Sequence, residues 1–231
     1  MKIYYRLSNK NASASKIKLN HASKEYCLQN AITVFGKDSI TVIGDNLNDN
    51  TKKMVESFDL RLISVNNNSG SATFRDALNL AIDENTNDTV AYLLEDDFLH
   101  TNNAAQIIEE GALAYDMYVT GYDHPDKYIN SEDGGNPFIQ QDGEITRVIK
   151  TKSTHWKITN STVMTFAARV SRLKKDKELL YKFSNNRITD SFGFFTALTR
   201  EKQVGCISSI PGVSTHTETA WLSPFTDWST V

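Results

Sequence analysis

Apolar residues recur along this chain with two alternating periods. Residues 2–5 read as a short strand. Ser23 is placed as an N-cap for a helix over 24–35, with Cys27, Leu28, Ala31, Val34 and Phe35 on one face and Gly36 as its stop. A buried-strand pattern follows at 39–43, closed by Gly44-Asp45-Asn46. A helix over about 51–58, a strand over 60–65 and a turn cluster from Asn66 to Gly70 come next. Phe74, Ala77, Leu78, Ala81 and Ile82 then mark a helix over 72–83, and Thr89 to Leu94 a further buried strand. The β-α-β-α-β-α-β alternation of the first hundred residues predicts an α/β fold with a largely parallel sheet covered by helices. In such sheets ligands bind beyond the carboxyl ends of the strands.

The second half is less regular. The pattern predicts a helix from 101 to about 113, a strand near 117–120, and a long loop over 121–143 rich in Gly, Asp, Asn and Pro, of a length associated with function. Short strands are expected near 144–150 and 161–166. A basic helix is expected over 168–182, another helix from Asp190, and a strand over 204–209 before an irregular tail. The chain reads as one domain, 1–231, with a nucleotide-binding half over 1–100 and an acceptor-binding half over 101–231.

Composition narrows the options. The 231 residues carry 25 Lys plus Arg and 28 Asp plus Glu, a net charge of −3, which argues against a general polyanion binder. The longest apolar run, Val90 to Leu94, is far short of the ~20 residues of a membrane span. With no apolar leader at its start, the expectation is a cytoplasmic protein. Cys27 and Cys206 have neither metal spacing nor a disulfide framework and read as core residues.

The candidate chemistry begins at Tyr92-Leu93-Leu94-Glu95-Asp96-Asp97, where three adjacent carboxylates end a buried strand. Carboxylates so crowded repel unless a cation separates them. A hard divalent ion, Mg²⁺ or Mn²⁺, answers that need through oxygen ligands, and a solvated acidic turn is the plain alternative.

This strand and motif resemble the GT-A glycosyltransferases, particularly the inverting enzymes related to the large family-two group. The resemblance implies a GT-A, Rossmann-like sheet with a smaller mixed C-terminal part. It implies Asp97 as the direct metal ligand, with Glu95 and Asp96 beside the nucleotide sugar. Asp45 would contact the nucleotide base, or form an Asx turn; Arg75 would touch the diphosphate, or lie on the surface; Tyr5 and Arg6 would line the nucleotide. His216, in the C-terminal tail, would join Asp97 on the metal. Asp190, in Arg187-Ile188-Thr189-Asp190, would serve either as catalytic base or as a helix N-cap. Trp156, Trp221 and Trp228 are candidates to flank sugar or base, with ordinary packing as the alternative.

The implied function is metal-dependent transfer of a sugar from a nucleotide diphosphate sugar to an acceptor hydroxyl, with inversion. A hydroxymethylated base in DNA and a saccharide are both open as acceptors. The DNA option draws on the basic 168–182 helix and on the likeness to phage-encoded enzymes. Two alternatives stand beside it: a sugar nucleotidyltransferase, whose Gly-rich basic loop is missing after the first strand here, and a non-catalytic nucleotide-sugar-binding module.

Overall fold

The computed structural model describes residues 1–9, 16–141, 143–186 and 189–231. Among these, nine strands form one sheet in the order β3-β2-β1-β4-β9-β6-β10-β8-β7. One half is a parallel quartet: β1 (Lys2–Ser8), β2 (Ile40–Asp45), β3 (Arg61–Val65) and β4 (Val90–Glu95). The other half is mixed: β6 (Tyr118–Thr120), β7 (Val148–Lys150), β8 (His155–Thr159), β9 (Phe166–Arg169) and β10 (Cys206–Ile210), with β9 antiparallel to both β4 and β6. A two-stranded ribbon, β5 (Phe98–His100) with β11 (Ser214–His216), crosses the top of β4.

Strand alternation sorts the core into two layers. Ile3, Tyr5 and Leu7 of β1 and Val90, Tyr92 and Leu94 of β4 face one way, toward α1 (Lys24–Phe35), α2 (Asp49–Ser57) and α4 (Ala104–Ala114). Tyr4 of β1 and Ala91 and Leu93 of β4 face the other way, toward α3 (Gly70–Asp83), α5 (Val170–Lys182) and α6 (Ser191–Lys202). Caps fall where the polar residues place them. Ser23 accepts from the Tyr26 N–H at 3.1 Å, and the Gly36 N–H closes α1 on the Ile32 carbonyl, with φ of 79°.

The predicted β-α alternation of the first hundred residues is present. Three details of the second half differ. Residues 161–165 are a turn that feeds β9, and Val163 (φ 47°) and Met164 (φ 54°) sit in the left-handed region that β-branched residues avoid. Strand β8 was absent from the sequence pattern, and so was β11, inside a tail that reads as irregular. The basic helix is not a basic stripe. Arg169 belongs to β9 and donates to the Leu113 carbonyl. Arg172 is buried, paired with Asp116 and 3.6 Å from Asp176, and Lys174 donates to Asn87. Arg187 and Ile188 lie outside the described residues.

Cys27 and Cys206 are buried and free. Trp156 packs in the core against Gly111 and donates to Thr151 at 3.0 Å, and Trp228 lies buried beside Cys27 and Leu99. No helix among the described residues is long and apolar enough to cross a membrane.

Candidate active site

Register assembles the site. The carboxyl ends of β1, β2 and β4 lie side by side, with Ser8 opposite Asp45 and Arg6 opposite Glu95. Arg6 and Glu95 both point to the α3 face by alternation, so their side chains meet at 3.1 Å. Arg6 also donates to the Met164 carbonyl at 2.8 Å and lies over the Phe74 ring. The strained turn at Val163-Met164 therefore holds an arginine of the site.

The next two carboxylates face lysines from the segment that follows β1. Lys24, in the first turn of α1, reaches Asp96 Oδ2 at 2.6 Å, and the Ser8 N–H donates to the same oxygen at 2.9 Å. Lys18 lies 2.9 Å from Asp97 Oδ2. The β5–β11 ribbon pairs His216 with Phe98, one residue past Asp97, and so sets His216 Nε2 at 3.0 Å from Asp97 Oδ2. His216 Nδ1 accepts the Glu218 N–H at 3.3 Å, so the ring proton sits on Nε2 and is donated to Asp97. Lys16 pairs with Glu218 at 2.6 Å, which ties the same segment to the C-terminal tail.

Crowding leaves its electrostatic mark. Burial pushes the Glu95 and Asp96 carboxyls up, against the opposing pull of Arg6 and Lys24. Burial also acts to raise Asp97, but His216 and Lys18 together outweigh it and hold that carboxyl well below the usual range. Cys27, buried under the cluster and near the two aspartates, is pushed up to about 12 and stays a neutral thiol.

From sequence, the triplet calls for solvent or for an external cation. In the fold, each carboxylate has an internal one: Arg6 for Glu95, Lys24 for Asp96, Lys18 for Asp97. Among the described residues no group of three or more His, Cys, Asp or Glu is disposed around a metal position. What fits a metal is narrower. Asp97 Oδ1 is buried, and no donor among the described residues reaches it, while Oδ2 touches His216. Two protein donors suit a divalent ion that shares its shell with phosphate oxygens.

The other sequence candidates fall in different places. Asp45 is spent on the protein. Its Oδ1 accepts from the Asn67 and Asn68 N–H groups at 2.8 and 3.1 Å and from the Asn46 amide at 2.7 Å, and its Oδ2 accepts from Thr73 at 3.1 Å. It pins the turn before α3 through the backbone of residues 67 and 68, rather than through its own backbone two residues on as in an Asx turn. Tyr5 is wholly buried in the core, and Arg75 donates to the Ser184 carbonyl beside the Tyr181 ring, tying α3 to the end of α5. Asp190 caps α6, with Oδ1 accepting from the Gly193 N–H at 2.8 Å. The lysines at 16, 18 and 24 were not singled out in the sequence, because isolated lysines in a polar segment carry no period.

No protein-family model matches the chain, and no curated protein sequence matches it. Solved structures do. A CMP-2-keto-3-deoxy-manno-octonic acid synthetase in complex with CTP superposes with a TM-score of 0.52 at 11% identity, over 92% of both chains. A protein described as a glucose-1-phosphate thymidylyltransferase, from Bacillus anthracis, gives 0.52 at 13% identity, over 94% of this chain and 90% of its own. A 4-diphosphocytidyl-2C-methyl-D-erythritol synthase from Anaerococcus prevotii gives 0.50 at 12% identity, over 90% and 87%. At these identities the likeness shows the fold: a Rossmann-like α/β sheet shared with nucleotide-transferring proteins.

Proposed function

We propose that this chain is a transferase that binds a nucleotide across the carboxyl ends of β1, β2 and β4 and makes or uses a nucleotide-linked sugar. The observation that carries the reading is the meeting of Lys18 and Lys24 with Asp97 and Asp96, at 2.9 and 2.6 Å. Lysines and carboxylates in one cleft are what a metal–polyphosphate complex needs, the first for the phosphates and the second for the metal. On nucleotide binding the lysines would exchange carboxylate partners for phosphate oxygens. Asp97 Oδ1, with no donor among the described residues, is the atom proposed to take a divalent ion. A bound Mg²⁺ or Mn²⁺ would supply neutralisation of the departing diphosphate or pyrophosphate, and His216 would join it as the neutral ring only by shifting its proton from Nε2 to Nδ1, which gives up the contact with the Glu218 N–H.

Two reactions suit this cleft. Nucleotidyl transfer, from a nucleoside triphosphate to a sugar phosphate, is favoured by the activities named for the structures that share the fold. The segment after β1 lacks the glycines of such enzymes, yet Lys16, Lys18 and Lys24 bring positive charge to the acidic cluster. Glycosyl transfer, from a nucleotide sugar to a hydroxyl, is the second reading. The 3.0 Å contact of His216 with Asp97 supports it, since a histidine of the C-terminal tail lies beside the aspartate proposed to hold the metal. Asp190 would then be the base, through the oxygen its cap leaves open, and the acceptor would be a saccharide or a DNA base.

One assay separates them. The protein is incubated with Mg²⁺ or Mn²⁺ and either nucleoside triphosphates plus sugar 1-phosphates or a panel of nucleotide sugars plus acceptors. Pyrophosphate release assigns nucleotidyl transfer, and nucleoside diphosphate release assigns glycosyl transfer. Either product must vanish in Asp97→Asn. A metal-dependent thermal shift without turnover would mark a binding module, and no shift with any nucleotide refutes the proposal.

A further inference from the structure

A second polar centre lies outside the acidic cluster. The loop after β6 folds back on the turn at 160–163 and encloses an open cavity of ≈ 280 Å³. Its wall presents Asp126, Asn136 and Ser161 beside Trp221 and Phe192. Asn136 is 2% exposed and is the hub. Its amide nitrogen shares its two hydrogens among three acceptors, Asp126 Oδ2 at 3.2 Å, Asn160 Oδ1 at 3.0 Å and Ser161 Oγ at 3.1 Å. Ser161 Oγ donates to Asp126 Oδ2 at 2.7 Å. One oxygen of Asp126 is therefore fully used.

The other is not. Asp126 Oδ1 is buried, and among the described residues no donor reaches it. His124 Nδ1 lies 3.2 Å from it. That nitrogen already accepts the Asp126 N–H at 3.0 Å, so it carries no proton to offer. Burial, with only partial relief from Asp126, holds the His124 ring at about 4, neutral at pH 7. Two acceptors thus face each other without a hydrogen between them, a costly arrangement unless a ligand donates to them.

The surroundings define the ligand. Asp126 and Ser161 line one side and aromatic rings another. Trp221 packs on His124 with ring centroids 5.3 Å apart, and Phe192 lies against Phe138. Acceptors for hydroxyls with an aromatic wall for C–H faces suit a polyhydroxylated ring rather than a phosphate, which a carboxylate repels. The cavity also touches the acidic cluster through packed rings: Trp221 on His124, His124 on Tyr122, Tyr122 on Phe98, and Phe98 on His216. Val163, which lines it, belongs to the strained turn whose Met164 carbonyl holds Arg6.

We infer that this cavity is the carbohydrate subsite of the enzyme, with the Asp126 carboxylate turning its unmatched Oδ1 from His124 to accept a hydrogen bond from a ring hydroxyl. The inference rests on the reading of the chain as a nucleotide-sugar transferase, and it names where the sugar sits. A sugar 1-phosphate and a neutral acceptor saccharide share this chemistry.

The test uses saturation-transfer NMR on the full chain with glucose, galactose, mannose, N-acetylglucosamine and their 1-phosphates, with Mg²⁺ and the best-binding nucleotide present. Binding is compared in wild type, Asp126→Asn and Trp221→Ala. In Asp126→Asn the new amide can donate to His124 Nδ1, so the fold should hold its melting temperature while the hydroxyl acceptor is lost. The expected result is at least a tenfold weaker sugar signal in both variants, with nucleotide binding unchanged. Preference for the 1-phosphates would identify a nucleotidyl acceptor, and equal binding of neutral sugars a glycosyl acceptor. Nucleotide binding intact but no sugar bound by the wild type, or sugar bound equally by both variants, overturns the inference alone. Loss of nucleotide binding in the wild type would instead sink the functional reading beneath it.

Discussion

Asp45 offers a sharp separation between a structural and a ligand-binding role. Its carboxylate is 5% exposed and accepts two backbone N–H groups, from Asn67 and Asn68, together with the Asn46 amide and the Thr73 hydroxyl. Asp45→Ala would strand both backbone donors. A buried unsatisfied donor costs about 1–3 kcal/mol. The two donors are part-buried, which places the total at about 2–4 kcal/mol. For a chain of this size each kcal/mol moves the melting temperature by roughly 2–4 °C, so the expected drop is about 4–16 °C. Asp45→Asn keeps one oxygen able to accept both N–H groups and loses only charge assistance, for about 1 kcal/mol. Thermal melting of the two variants, followed by titration at 20 °C with uridine, cytidine and thymidine di- and triphosphates, checks both halves. Nucleotide affinity should stay within about twofold for Asp45→Asn. A melting temperature within 1 °C of wild type, joined to a tenfold loss of nucleotide affinity, would refute the pin and restore the base contact.

Other consequences follow from the same contacts. Lys18→Met removes the ammonium that competes for Asp97, so Mn²⁺ measured by calorimetry should bind more tightly than in wild type, whereas Asp97→Asn should abolish the heat. Gly111→Ala sets a Cβ 2.7 Å from the Trp156 ring, an overpacking worth about 1–3 kcal/mol against a gain of about 1 kcal/mol in helix propensity; melting should fall, by up to about 8 °C, rather than rise as it would at an open helix position. His100 is fully buried and burial lowers its pKa to about 3, so the folded state holds it neutral. Its contribution is present above the unfolded value near 6.5 and is lost as pH falls from there toward 3, at about 1.4 kcal/mol per pH unit. Melting temperature should therefore decline below pH 6.5, and His100→Gln should flatten that decline.

Much of the first hundred residues was legible because its signals are local. The 2.0 and 3.6 periods, the Ser23 cap and the Gly36 stop each depend on neighbours within a few residues, and α1 spans Lys24–Phe35 as the pattern placed it. The acidic end of β4 was equally plain, since three carboxylates after an apolar run have few structural meanings. What the acids touch was not plain. Lys18 and Lys24 meet them across 79 and 72 residues, and His216 meets Asp97 across 119, through a ribbon of three-residue strands too short to leave a period. The two readings left open for Asp45 and Asp190 also waited on the fold, because an aspartate that binds a ligand and one that caps a helix have the same letter and the same neighbours. Only packing shows which oxygen is already taken. The cavity at Asp126 is the extreme case: its walls come from well-separated stretches of chain, from His124 to Trp221, and which of its polar atoms stay unmatched shows only once those stretches have packed together. Periodicity is a property of consecutive residues and survives in the sequence, whereas hydrogen-bond satisfaction is a property of neighbours in space and comes into being only when the chain closes on itself.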